Sequence, residues 1–289
     1  MIYYGIAAIS PLVMWFFNSY ITKVNRFDDK QRRKLRSFLT VLAILPMFLL
    51  FVLRYKYIGA DTIGYVRFFQ SEIRGYSFAE LFDSELMHIE IGYRIYVKLI
   101  SLFTENYTVF FLVNGIVIFG TLLHFAKKYT ENPFVFFFLF MTLGTYDFVE
   151  TGLRQTLAMM ICLWAFDFLK DKKIVRFLLL VVLASLFHQS AVIFLLMLPL
   201  SLIKRTDWIV LTHIIMAFVF FVGFGAFQEL FNELLGYEYS IEETGNGGIF
   251  FLLVMVLFAF SLFMTYNRPS NIDGQSLILQ LALLTVTFW

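Results

Sequence analysis

The sequence predicts an all-α, polytopic membrane protein, and three observations predict it. Of 289 residues, 60% are hydrophobic and only 15% are charged, where a soluble domain carries about 25%. Apolar segments of near-spanning length recur along the whole chain, and a spanning helix needs about 20 such residues. Finally, the basic residues fall on alternate loops, as they do in a chain threaded through a bilayer.

The segments justify themselves in order. Candidate spans are 2–22, 38–53, 107–126, 134–150, 154–169, 174–188, 189–203, 208–227, 249–266 and 276–289, giving about ten transmembrane helices. The apolar N-terminus MIYYGIAAIS lacks the basic flank of a signal peptide and reads as an uncleaved first helix. The stretch 174–203 is almost continuous; the polar cluster His188-Gln189-Ser190 divides it into two helices with a surface turn. No composition break or low-complexity linker marks a second domain, so 1–289 reads as one transmembrane domain. The closing QLALLTVTFW is apolar with no polar flank, which reads as a truncated C-terminus.

Orientation follows from Lys and Arg. The loop KVNRFDDKQRRKLR carries seven basic residues, which makes it cytoplasmic and the N-terminus external. Alternation makes 127–133, 170–176, 204–207 and 267–275 cytoplasmic as well, so sixteen of the 23 basic residues lie inside. The segment 54–106 is then external. Within it, Tyr65, Phe68, Phe69 and Ile73 follow one helical face after Asp61. Ile95, Tyr96, Leu99, Ile100 and Phe103 form an apolar stripe opposite a polar one of Arg94, Lys98, Ser101 and Glu105. Short helices with that split lie in the membrane interface.

This topology puts Arg54, Asp61, Glu90, Arg154 and His188 on one outer face. Ionisable groups at membrane depth are costly, which makes them functional candidates. Arg54 ends the second span and suits a phosphate, since a guanidinium binds phosphate oxygens in bidentate fashion; the plain alternative is a snorkelling arginine. Asp61 orients an arginine, acts on a hydroxyl or caps a helix. Glu90, beside aromatic rings and lipid, reads as a general base with a raised pKa, or as a first-turn Glu favoured by the helix dipole. Glu150 and Arg154 stand four residues apart, either a phosphate-binding arginine held by a carboxylate or an ordinary i,i+4 pair. His188 ends a helix, where it is a structural residue or accepts a hydroxyl proton.

Other chemistries lack their signatures. No G-x-x-x-x-G-K-[ST] or G-x-G-x-x-G suggests nucleotide use, no HExxH or Cys/His cluster suggests zinc, and no G-x-S-x-G elbow occurs. The one cysteine, Cys162, excludes an intrachain disulfide and a multi-cysteine metal site. We expect no cofactor and no metal. The net charge of +2 does not point to nucleic acid. What remains needs charge stabilisation and a base, as glycosyl transfer from a lipid pyrophosphate does.

At these residues the chain resembles the EpsG family, Wzy-like exopolysaccharide and capsule polymerases of bacterial membranes. The matching pieces are Arg54 with Gly59-Ala60-Asp61-Thr62 and Tyr65, then Glu90 with Gly92-Tyr93, then Asn114, Arg154-Gln155 with Ala158, and Phe187-His188 with Ser190-Ala191. The resemblance covers about residues 1–270. The resemblance implies a glycosyltransferase-C-like enzyme of the bacterial cytoplasmic membrane, multi-pass, with an outward active site. It would transfer a growing glycan from undecaprenyl pyrophosphate to the next lipid-linked repeat. Its partners would be that lipid-linked oligosaccharide, membrane lipid and other polysaccharide-assembly proteins. By this analogy Arg54 and Arg154 hold the pyrophosphate, and Asp61, Glu90 or His188 activates the acceptor hydroxyl. A flippase of the lipid-linked unit would instead place charge near the bilayer midplane, where only Asp147 and Asp167 come close. A ligase would need the same phosphate clamp.

Overall fold

Two long apolar helices, α1 (Ile2–Val24) and α2 (Asp29–Leu53), begin the chain. The computed structural model describes residues 2–25, 27–82, 89–203, 205, 208, 209, 211, 212 and 215. The expected spans 249–266 and 276–289, and nearly all of 208–227, lie outside the described residues, as does His88. Helix α2 starts well before its apolar run because Asp28 caps it. Asp28 Oδ1 accepts from Gln31 N at 2.7 Å and Gln31 Oε1 accepts from Asp28 N at 3.0 Å, a capping box. Ser10 Oγ donates to Ala43 O at 2.6 Å and ties α1 to α2.

The later helices are α6 (Tyr107–Tyr129), α7 (Pro133–Thr142), α8 (Thr145–Thr151) and α9 (Leu153–Lys170). Asn106 caps α6 through Thr108 N at 2.8 Å; Asn132 caps α7, with Pro133 in the first turn. Among the described residues α1, α2 and α6 are long and apolar enough to cross a membrane. The expected straight span 134–150 is instead broken: α7 and α8 meet at 65° across Leu143-Gly144. Gly144 has φ +80°, a left-handed conformation that favours glycine and stops a helix. If the bent pair counts as one span, the described residues hold four.

Helix α10 (Ile174–Ser185) and the run after it are shorter than their expected spans. The turn at Leu186–Phe187, just before His188, lies where the polar cluster predicts one. Beyond it, Gln189–Leu196 is 3₁₀ helix and α11 (Met197–Leu200) is a single turn. All of the described secondary structure is helical.

The segment 54–106 folds into short helices, as expected: α3 (Thr62–Arg67), a π turn over Phe68–Glu72, α4 (Ile73–Gly75), a 3₁₀ turn over Glu80–Phe82 and α5 (Ile91–Ser101). Its sidedness within α5 differs from the sequence reading. Arg94, Lys98 and Ser101 are buried, while Leu99 and Phe103 are 46% and 88% exposed. The buried polar stripe binds backbone carbonyls. Arg94 donates to Leu81 O and Ile89 O. Lys98 Nζ donates to Ile73 O at 3.2 Å and Arg74 O at 3.1 Å, and so holds the end of α4. Ile95, Tyr96 and Ile100 of the apolar stripe also pack against the core, and the buried cations are tolerated because each has acceptors.

The segment shares one core with the long helices. Phe68, Phe69, Leu81 and Tyr93 join Phe51, Phe110, Phe111, Phe119 and Tyr146 in a single buried cluster. Phe69 stacks on Phe110 with ring centroids 4.6 Å apart.

The chain divides into two compact units. The first comprises Met1–Phe166 and Phe177–Val192, and every site residue below lies in it. The second comprises Asp167–Arg176 and the chain from Ile193. In it, Lys173 Nζ pairs with Asp171 Oδ2 at 2.8 Å, and Arg176 lies over the Phe168 ring.

Candidate functional site

The site is built where α5, α9 and the turn after α10 converge. Helix α5 begins by giving two N–H groups to that turn: Gly92 N and Tyr93 N donate to Leu186 O at 2.8 and 3.2 Å. The approach is closer than a side chain allows. A Cβ on Gly92 would lie 2.7 Å from Leu186 O. Glycine at this position lets the two backbones touch, and the contact sets Glu90 next to His188.

Glu90 is the hub. Its Oε2 accepts from Arg154 NH1 at 2.5 Å. Its Oε1 lies 3.0 Å from His188 Nδ1 and accepts more weakly from Gln189 N at 3.4 Å. The Glu90 side chain is 9% exposed, against 24% for Arg154 and 27% for His188. The carboxylate is enclosed while its partners reach the surface. Burial acts to raise the Glu90 carboxyl, but the His188 hydrogen bond and the Arg154 charge outweigh it and hold the group below the usual carboxylate range. This corrects the raised-pKa expectation for Glu90. An ionised Glu90 orders the imidazole: Nδ1 carries the proton and donates to Oε1, which leaves Nε2 as the acceptor. Glu90 stands at the N-cap position of α5 and caps no backbone N–H; its carboxylate is turned to Arg154 and His188 instead.

Arg154 is the second residue of α9, two residues beyond the break at Gly152. The sequence pairs it with Glu150, four residues away, but the structure pairs it with Glu90, because Gly152 breaks the continuous helix that an i,i+4 contact needs. Arg154 also acts on Tyr65, whose phenol burial pushes up and the arginine draws back.

Arg54 forms a separate centre. It is 3% exposed, follows the last residue of α2, and lies over the rings of Phe111 and Phe51 at 4.0 and 4.5 Å from their centroids. Its NH1 donates to Glu150 O at 2.8 Å, while Nε and NH2 have no hydrogen-bond partner. Glu150 Oε2 accepts from Tyr4 Oη at 2.8 Å. Tyr4 sits in the uniform apolar run of α1, with no motif to single it out. A cavity of about 670 Å³ opens beside this centre and includes Tyr4, Gly59, Asp147 and Glu150 in its walls. Neither Arg54 nor Arg154, the two arginines expected to hold the pyrophosphate, lines it.

Asp61 precedes α3 as expected, but its side chain caps no N–H and is exposed, and it makes no ion pair among the described residues. The helix start is already satisfied otherwise: Thr62 N donates to Gly59 O. Asn114, buried in α6, accepts from Tyr96 Oη at 3.2 Å and joins α5 to the long helices. Of the five sequence candidates, the structure brings Glu90, Arg154 and His188 together and leaves Arg54 and Asp61 out of that contact. No group of three or more metal-ligating side chains occurs among the described residues.

The fold and site define an α-helical membrane protein with a carboxylate–histidine–arginine cluster at its helix ends. The profile of the EpsG family matches residues 37–288, and the chain belongs to that family. This membership suggests an exopolysaccharide-related polymerase. No curated protein and no solved structure matches the chain.

Proposed function

We propose that the protein polymerises lipid-linked oligosaccharide repeats, transferring a growing glycan from undecaprenyl pyrophosphate to the next lipid-linked unit at the outer face of the cytoplasmic membrane. The observation that carries this reading is Glu90 bridging Arg154 and His188. Glycosyl transfer of this kind needs a base for the acceptor hydroxyl and a cation for the departing pyrophosphate. His188 Nε2 takes the hydroxyl proton as the acceptor oxygen attacks the anomeric carbon. Glu90 holds the imidazole in that tautomer and stabilises it once charged, a positioning role like that of the acid in a catalytic triad. Arg154, partly exposed, stabilises the charge that develops on the leaving pyrophosphate.

In this mechanism Glu90 is the orienting acid and His188 the base. Arg54 is set apart from them, and its two unpartnered donors suit a second phosphate contact only if the Glu150 side of the site opens. Asp61 takes no catalytic part.

The test is Arg154→Ala in the producing cell at equal protein level. Long-chain polysaccharide should disappear while the lipid-linked single repeat accumulates; unchanged chain length would contradict the assignment.

A further inference from the structure

We propose that the cavity beside Glu150 is a sugar-hydroxyl subsite, a place for an uncharged pyranose of the acceptor glycan rather than for any phosphate. Its acceptor role rests on the polymerase reading; its ligand class stands on the cavity itself. A volume of about 670 Å³ is in the range that holds a small ligand. The walls include two carboxylates, Asp147 and Glu150, a tyrosine, Tyr4, and no cationic side chain. A pyrophosphate would meet two like charges there.

Glu150 carries the argument. The residue is 4% exposed, and its Oε1 is a buried acceptor with no hydrogen-bond partner. An acceptor left bare in a buried place costs free energy until a donor arrives. The donors around Glu150 do not satisfy Oε1: Tyr4 Oη binds Oε2, Tyr146 Oη interacts with the carboxylate but donates to Met47 O at 3.0 Å, and Arg54 NH1 and Thr62 Oγ1 both turn to the Glu150 backbone carbonyl. A sugar hydroxyl brings the missing proton without adding charge. Asp147, exposed at the cavity, offers a second acceptor, and Tyr4 an aromatic edge.

The cavity wall is also shaped by backbone. Gly59 has φ +88°, and a Cβ there would lie 2.8 Å from Thr62 Oγ1 and 3.4 Å from Glu150 O. Glycine lets the loop after α2 close against Glu150.

Thiol labelling tests this without any polymerisation. Cys162 is the chain's one cysteine and is buried, so Thr151→Cys and, separately, Ile58→Cys each put a single reactive thiol in the cavity wall. The purified chain is treated with a neutral maleimide in the presence of methyl glycosides of glucose, galactose, rhamnose or N-acetylglucosamine. At a glycoside concentration about twice its dissociation constant, labelling should slow about threefold, since the free fraction is 1/(1 + [L]/Kd). Glu150→Leu should remove the protection and Glu150→Gln, which keeps an acceptor oxygen, should retain part of it. Protection by none of the glycosides overturns the proposal. So does equal protection by pyrophosphate or by magnesium alone. Protection in a protein that makes no polymer would refute the polymerase reading and leave this site standing.

Discussion

At the residue scale, the account turns on what Glu90 does. Its carboxyl is held low, so its ion pairs are complete above the ordinary carboxylate pKa of about 4.3. They are lost as pH falls through the lower, folded-state value. Thermal unfolding of wild type and Glu90→Gln in detergent should therefore converge as the medium is acidified from about pH 5 to below about 4. A difference that grows in acid would reverse the assigned direction. Glu90→Gln also removes the acceptor that fixes the imidazole, and repeat transfer should fall about 10²-fold or more. Glu90, Arg154 and His188 stood out in the sequence because ionisable groups at membrane depth are costly. Their pairing was not. Glu90 lies 64 residues from Arg154 and 98 from His188, and no local pattern reports such contacts. The local pattern that did exist, Glu150 with Arg154, pointed to the wrong partner because Gly152 interrupts the helix.

At the element scale, α5 positions the site. Its first N–H groups rest on Leu186 O, and its buried Lys98 and Arg94 tie it to α4 and to the 3₁₀ turn at Leu81. Gly92→Ala should push α5 off the turn and cost about 1–3 kcal/mol, the usual penalty of overpacking. The matched control is Gly64→Ala at an exposed position of α3, where a Cβ meets nothing within 4 Å; it should leave stability unchanged or raise it by up to about 1 kcal/mol. Equal melting temperatures for the two variants would remove the positional argument. The periodicity of α5 was correctly read as amphipathic, but the burial of its faces was not. Periodicity identifies two faces; it does not say which turns inward when the outer medium is lipid. The break at Gly144 was missed for a different reason, since a lone glycine in an apolar run is common in spanning helices.

At the scale of the whole molecule, the helical membrane architecture was legible in composition and in the length of the apolar runs. The long helices α1 and α6 match their expected segments closely, and α2 shares its expected end but begins earlier, at Asp29. The basic stretch read as a loop is in part helix, since α2 already begins at Asp29 behind its Asp28 cap, whereas 54–106 folds into the short helices expected of it. The proposed orientation makes a direct prediction. Ser77→Cys in intact cells should react with an impermeant thiol reagent, and Lys30→Cys only after lysis; both positions are exposed, and Cys162 is buried. The reverse pattern would invert the topology and move the Glu90 cluster to the cytoplasmic side.

The most direct measurement of the central claim is chain elongation by the purified protein in liposomes supplied with lipid-linked repeats, comparing wild type with His188→Gln. The account predicts long glycan from wild type, with no translocation required, and a rate at least about 10²-fold lower for the variant at equal reconstitution. Elongation by His188→Gln at the wild-type rate would contradict it.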